Sequence, residues 1–170
     1  DEEVFILTVS GTVITKQTST VVPQNQGNTT FLKITNDKVI QLSKSTNYTV
    51  QAQVLSISGN TISLGTLSSS SWQEYGFIYD TDKLDSNNRF YLFQQDNNGG
   101  NGFIRQQTYD SVTETVSFDN VSTRLTNLIS PTDMFFDLVT DKIVISGAIN
   151  YIVPSVSVMK FGANVVNSTI

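Results

Sequence analysis

Apolar and polar side chains alternate with a period of two residues over much of this chain, and that alternation strongly constrains its fold. From Tyr48 to Val54 every second residue is apolar, and the residues between them are Thr or Gln. A similar alternation runs from Ile143 to Val153. Successive side chains of a β-strand point to opposite faces of a sheet, so this pattern predicts strands with one buried face. Arg89–Phe93 carries apolar residues on both faces and is therefore predicted to be a central strand.

Short extended segments follow one another along the chain, with polar turns between them. They predict an all-β domain, a β-sandwich or jelly-roll-like fold of about 9–11 strands. The sequence Ser58-Gly59-Asn60-Thr61 predicts a hairpin turn, because Gly-Asn suits a two-residue connection between strands. The chain of 170 residues has no linker rich in Pro and Gly, so residues 1–170 are predicted to form a single domain.

Two segments have the sequence signals of short helices. Asn36 is a potential N-cap for Asp37–Lys44, and Ser122 is a potential N-cap for Thr123–Ile129. Neither segment exceeds about two turns, so one or two short helices are expected at the ends of the sheets.

The composition limits the partners and the location of the protein. Charged residues make up 15% of the chain, compared with roughly 25% in an average soluble domain. The ten basic residues form no cluster, so a nucleic-acid partner is not predicted. No apolar run reaches the roughly 18 residues of a membrane span, so none is predicted. Low charge with abundant Ser, Thr and Asn favours an extracellular or cell-surface location, after removal of a signal sequence.

The chain contains no His and no Cys, which excludes nucleophilic catalysis with a His base or a Cys nucleophile. Paired carboxylates could still hydrolyse a glycoside, with Glu74 beside the aromatic residues Trp72 and Tyr75 and with Glu114 or Asp137 as its partner. Two such carboxylates can be nominated in most β domains, and we interpret Glu74 as the solvent-facing residue of an alternating strand whose aromatic residues belong to the core. The sequence predicts that the protein is not an enzyme.

Asp80, Asp82 and Asp85 lie together in a segment, Asp80–Asn88, that is predicted to be a loop. Carboxylate and amide oxygens are the ligands that Ca²⁺ prefers, so a calcium site is one interpretation of this loop. The spacing does not match the EF-hand pattern, and Lys83 could instead pair with a neighbouring carboxylate. Calcium is thus a possible ligand, and no other cofactor is predicted.

Trp72 and Tyr75 are candidates for binding carbohydrate, because exposed aromatic rings can stack on sugars. Tyr75 shares one face of its predicted strand with Phe77 and Tyr79, and a continuous aromatic face is more typical of a core. Trp72 lies outside that register and is the better candidate for an exposed ring.

The segment Val4–Lys16 is predicted to be a strand that is apolar on both faces, so it can pair with a sheet edge of its own molecule or of a neighbouring copy. Its candidate assembly residues are Val4, Phe5, Ile6, Leu7, Val9, Val13 and Ile14. The sequence therefore favours a non-enzymatic extracellular structural protein that assembles with itself through sheet edges, as a filament, a pilus-like fibre or a surface layer. Donation of the N-terminal strand is its expected mechanism. The alternative is a monomeric β-sandwich module for carbohydrate binding or adhesion.

Overall fold

The computed structural model describes residues 2–22, 29–73, 78–80, 84–95, 101–126, 128–137, 142–149, 153–159 and 166–169. These residues form fifteen antiparallel β-strands and no helix, which confirms the all-β prediction. The strands are β1 (Glu2–Ser10), β2 (Val13–Val22), β3 (Thr30–Lys33), β4 (Lys38–Lys44), β5 (Thr49–Ser58), β6 (Thr61–Leu64), β7 (Ser68–Gln73), β8 (Ile78–Asp80), β9 (Arg89–Gln95), β10 (Asn101–Asp110), β11 (Thr115–Thr126), β12 (Leu128–Asp137), β13 (Lys142–Ile149), β14 (Val153–Met159) and β15 (Val166–Thr169).

Two antiparallel sheets enclose the hydrophobic core, which makes the fold sandwich-like. The first sheet has the strand order β3-β4-β5-β6, with β7 also paired to β5, and the second has the order β11-β10-β9-β8. Alternate residues of both sheets point inward, as the period of two predicts. The buried core residues are Leu32, Ile40, Leu42, Val50, Ala52, Val54, Phe90, Leu92, Tyr109 and Val116.

Strand β9 lies inside the second sheet and is buried on both faces, as predicted for Arg89–Phe93. Phe90 and Leu92 contribute to the core, while Tyr91 and Phe93 point to the opposite face and are also buried. On that side β12 lies against β8, β9 and β10. Strand β12 belongs to a third sheet, of order β12-β13-β14-β15, so β9 is packed between layers.

The predicted hairpin turn at Ser58–Thr61 is confirmed. Strands β5 and β6 are joined by Gly59 and Asn60, and Ser58 pairs with Thr61. Gly59 has a φ of 56°, in the left-handed region that glycine adopts without steric cost. A glycine at the first central position is the signature of a type II′ turn, whose twist matches that of the flanking strands.

Both helix predictions are wrong. Lys38–Lys44 is strand β4, in which Ile40 and Leu42 alternate into the core, and the predicted helix Thr123–Ile129 falls in strands β11 and β12. A two-turn helix is only marginally stable by itself, so ladder pairing with neighbouring strands overrides the capping signals, and in β4 the burial of alternate residues adds to it.

The prediction of one strand over Val4–Lys16 is also wrong, because the segment divides into β1 and β2 with a turn at Gly11-Thr12. Gly11 has a φ of 59°, so the backbone reverses here instead of continuing as an extended strand. Such a division of one predicted strand into two is one reason why the structure has fifteen strands and the sequence predicted about 9–11. Among the described residues, no helix is long and apolar enough to cross a membrane.

Candidate functional site

Strands β1 and β2 form a hairpin that is a two-stranded sheet of its own. Glu2 pairs with Val22 at its base, and Ser10 pairs with Val13 beside the turn. The partner of successive β1 residues jumps from Ser19 to Lys16 between Phe5 and Leu7, so β2 has an extra residue there, which is a β-bulge. At about 3.3 Å per residue the nine residues of β1 span roughly 30 Å.

One face of the hairpin packs on the rest of the molecule. Val4 and Ile6 are half-buried, and Val22, on the same face, is 1% exposed. Strand β1 and the face of the first sheet that points away from the core enclose an apolar groove of about 280 Å³. We call it the apolar groove; its lining residues are Val4, Phe5, Ile6, Phe31, Val39, Leu55, Ile57 and Ile62.

The opposite face of the hairpin, which we call the outer hairpin face, is apolar and exposed. Its apolar residues are Phe5 (44% exposed), Leu7 (53%), Val9 (66%), Ile14 (65%) and Val21 (55%). Val9 and Ile14 are directly paired across the two strands, so their side chains are neighbours. A contiguous exposed apolar surface of this kind is typical of an interaction site.

The hairpin carries little charge. Residues 4–15 contain no charged side chain. Just outside them, the Lys16 Nζ lies 3.0 Å from the Glu3 Oε2, and both side chains are about half exposed. The Lys16 Nζ also lies 4.6 Å from the centre of the Phe5 ring. The two charges nearest to the outer hairpin face therefore neutralise each other, and burial of this face would leave neither of them without its partner.

All seven predicted assembly residues lie in the hairpin, but the structure separates them. Phe5, Leu7, Val9 and Ile14 belong to the outer hairpin face, and Val13 is 61% exposed beside the turn. Val4 and Ile6 point inward and line the groove. The prediction missed Val21, because the strand that it expected ends at Lys16. The β-branched run Thr18–Val22, broken only by Ser19, would have signalled the second strand.

No protein-family model matches this chain, and neither a curated protein nor a solved structure is significantly similar to it.

The structure describes one of the three predicted calcium ligands. The side chain of Asp85 is 2% exposed, and its Oδ1 accepts hydrogen bonds from the backbone N–H groups of Asn87 and Arg89, each 2.8 Å long. The Arg89 side chain donates to Oδ2 from Nε at 2.6 Å. The side chains of Asp80 and Asp82 lie outside the described residues, so the calcium site stays a prediction. The contacts of Asp85 favour a role in holding the turn.

The predicted carbohydrate-binding rings also lie outside what the structure describes. Trp72 is in strand β7, but its side chain is not among the described ones, and neither is any part of Tyr75. Sugar binding at these residues stays a prediction.

Glu114, a candidate carboxylate for hydrolysis, is paired with Lys38 in the structure. Lys38 begins β4 and Glu114 precedes β11, so this pair links the two sheets that enclose the core. The hydrogen bond to Glu114 raises the pKa of Lys38. The side chains of Glu74 and Asp137 lie outside the described residues.

We expect the free energy of unfolding to fall in alkaline solution. Burial raises the pKa of Tyr109, and the Glu114 contact raises that of Lys38, so the native state holds both protons to higher pH than the unfolded chain. Their stabilisation is complete below the ordinary pKa values, 10.0 for Tyr and 10.5 for Lys, and is lost as the pH rises through the raised native values. Urea unfolding at neutral and alkaline pH measures this loss.

Lys38→Gln and Tyr109→Phe should each reduce the alkaline loss of stability. The matched control is Lys33→Gln, because Lys33 is an exposed residue of the neighbouring strand β3. An alkaline loss that is the same in both test variants as in the unmodified chain would contradict this assignment.

Proposed function

We propose that this protein is a non-enzymatic structural protein that assembles with copies of itself through its N-terminal hairpin, as a filament or layer outside the cell or at its surface. The exposed apolar face of the hairpin is the observation that carries this proposal. The extracellular or cell-surface location rests on the low charge of the chain and its many Ser, Thr and Asn residues.

The size of the outer hairpin face gives the scale of the association. Complete burial of one large apolar side chain contributes about 1.5–3 kcal/mol, so burying the exposed half of the five side chains would contribute roughly 4–8 kcal/mol. Association itself costs an estimated 4–15 kcal/mol of lost freedom. The apolar face alone therefore supports weak association, and stable assembly needs further contacts.

The edges of the hairpin can supply backbone contacts. Among the described strands, β1 pairs with β2 alone, and β2 with β1 alone, so each strand has one edge without a ladder partner. Natural proteins usually protect such edges with charged residues or proline, and residues 4–15 contain neither. A strand of another copy can add to these edges, and this is the form of sheet-edge assembly that the hairpin supports.

Size exclusion with light scattering, followed by negative-stain microscopy of the same fractions, tests the proposal. We expect regular multimers of the unmodified chain. The double variant Val9→Thr/Ile14→Thr keeps β-branched residues in the strands but removes apolar surface. It should require an at least tenfold higher concentration to assemble, a shift of about 1.4 kcal/mol.

Val112→Thr is the matched control, because Val112 is 90% exposed in the turn before β11 and lies outside the hairpin. It should assemble like the unmodified chain. A strictly monomeric protein at high concentration would contradict self-assembly. Oligosaccharide screening would then test the alternative, a monomeric carbohydrate-binding or adhesive module.

A further inference from the structure

We infer that the paired side chains of Val9 and Ile14 in one copy dock into the apolar groove of the next copy. This inference rests on the proposed self-assembly and specifies which two surfaces meet. The contact is head-to-tail, since a hairpin of one molecule enters a groove of another.

The groove and the side-chain pair match in size and chemistry. The groove has a volume of about 280 Å³, and the described residues that line it are all apolar. An engineered apolar cavity of about 150 Å³ accepts a group as large as benzene, so this groove has room for about two aliphatic side chains. Val9 and Ile14 supply two neighbouring ones, which are 66% and 65% exposed.

The charge distribution favours the same pairing. The described residues that line the groove include no charged one, and the hairpin between Val4 and Thr15 has none either. Docking would therefore bury no unpaired charge, whose burial would oppose association. Glu3 and Lys16, the nearest charges on the hairpin, retain each other as partners.

The hairpin of one molecule does not fill its own groove. Val4, Phe5 and Ile6 line the groove from the middle of β1, whereas Val9 and Ile14 lie beside the turn, on the same face as Phe5. Val9 is also three residues beyond Ile6 in an extended strand, a displacement of about 10 Å. The pair can therefore reach a groove in a second copy, and not the one beside its own strand.

A second copy explains these features better than a lipid surface does. Aromatic and basic side chains anchor proteins at a membrane interface. Phe5 and Lys16 lie nearer the base of the hairpin, and residues 7–15, which carry Val9 and Ile14, contain neither type. A knob and a groove at different places on one molecule make a heterologous contact, which builds an open chain of subunits unless the rotation closes a ring.

Disulfide trapping tests the inference cleanly because the chain has no cysteine. Ile14→Cys protein is mixed with Ile62→Cys protein, whose cysteine lies in the groove, and the mixture is oxidised mildly. We expect mixed disulfide dimers, identified by mass spectrometry, at several times the yield from Val112→Cys mixed with Ile62→Cys. Val112 is the control because it is 90% exposed and lies outside the hairpin.

The outcomes separate this inference from the proposed function. Dimers of Ile14→Cys alone, with no gain on mixing, would mean that two outer hairpin faces meet; docking in the groove would be wrong and self-assembly would stand. If no specific disulfide forms but the chain still forms multimers, docking in the groove would again be wrong and self-assembly would stand. No disulfide in a chain that is monomeric by light scattering would overturn both proposals.

A groove-filling variant gives an independent readout. Ile62→Trp should occupy the groove and raise the concentration needed for assembly at least tenfold, while Leu67→Trp, outside the lining, should not. A thermal melt verifies that both variants are folded. Equal assembly of the two variants would overturn the inference. The inference would also be overturned if the unmodified protein floated with phosphatidylcholine vesicles and the Val9→Thr/Ile14→Thr variant did not.

Discussion

Replacement of Phe90 by Ala should lower the free energy of unfolding by about 3–5 kcal/mol, the range measured for a large aromatic residue in a packed core. Phe90 is fully buried in β9, between the two sheets that enclose the core. The truncation removes apolar area from the native state and leaves a cavity that neighbouring backbone cannot close, because the strands on each side are held by ladder hydrogen bonds. Urea denaturation followed by tryptophan fluorescence or circular dichroism measures the change.

Phe5→Ala is the matched control, since it makes the same chemical change at a side chain that is 44% exposed. It should cost clearly less stability and should instead weaken assembly, because Phe5 belongs to the outer hairpin face. Equal losses of stability at Phe5 and Phe90 would contradict the placement of the core. A Phe90→Leu variant, which retains much of the volume, should recover part of the loss.

Asp85→Ala should lower the free energy of unfolding by about 2–4 kcal/mol. The carboxylate is almost completely buried and accepts hydrogen bonds from two backbone N–H groups and from the Arg89 side chain. Its removal leaves these donors without that acceptor at the start of β9, the most enclosed strand of the second sheet. Because the Arg89 side chain is 27% exposed, water can solvate part of it, which places the expected cost below that of a fully buried pair.

The Asp85→Asn variant separates the contribution of the backbone hydrogen bonds from that of the ion pair with Arg89. The amide oxygen can still accept the backbone hydrogen bonds of the turn, but the ion pair with Arg89 is lost, so an intermediate loss is expected. A loss of less than about 0.5 kcal/mol in Asp85→Ala would contradict the role assigned to this carboxylate. A calcium-dependent rise in thermal stability that Asp85→Asn abolishes would favour the calcium site instead.

The turn at Asp85 is one instance of a local device that recurs in the chain. The side-chain oxygens of Ser45, Asp85 and Asp110 each accept a hydrogen bond from the backbone N–H two residues later. Each of these turns then places a residue in the left-handed region, with φ values of 64° at Tyr48, 58° at Asn88 and 53° at Glu114. Ser and Asp favour such turns because their short polar side chains reach the adjacent backbone.

Local features of this kind could be predicted from the sequence alone. The alternation from Tyr48 to Val54 identified β5, and Gly59-Asn60 identified the hairpin that joins β5 to β6. The run that is apolar on both faces identified β9 as a central strand. These predictions succeed because strand periodicity and turn conformation depend on residues a few positions apart. The prediction of an all-β sandwich follows from the same local signals repeated along the chain.

The role of each strand in the fold follows from how the sheets pack together. Lys38–Lys44 became a strand because its neighbours offered ladder pairing and a core, and Lys38 meets Glu114 from 76 positions away. Phe5 and Phe90 both lie in apolar strand segments, yet one is 44% exposed and the other fully buried. Burial depends on which layers pack together, and this is set by contacts between residues distant in sequence. The exposed hairpin face, the basis of the proposed assembly, is a result of that packing.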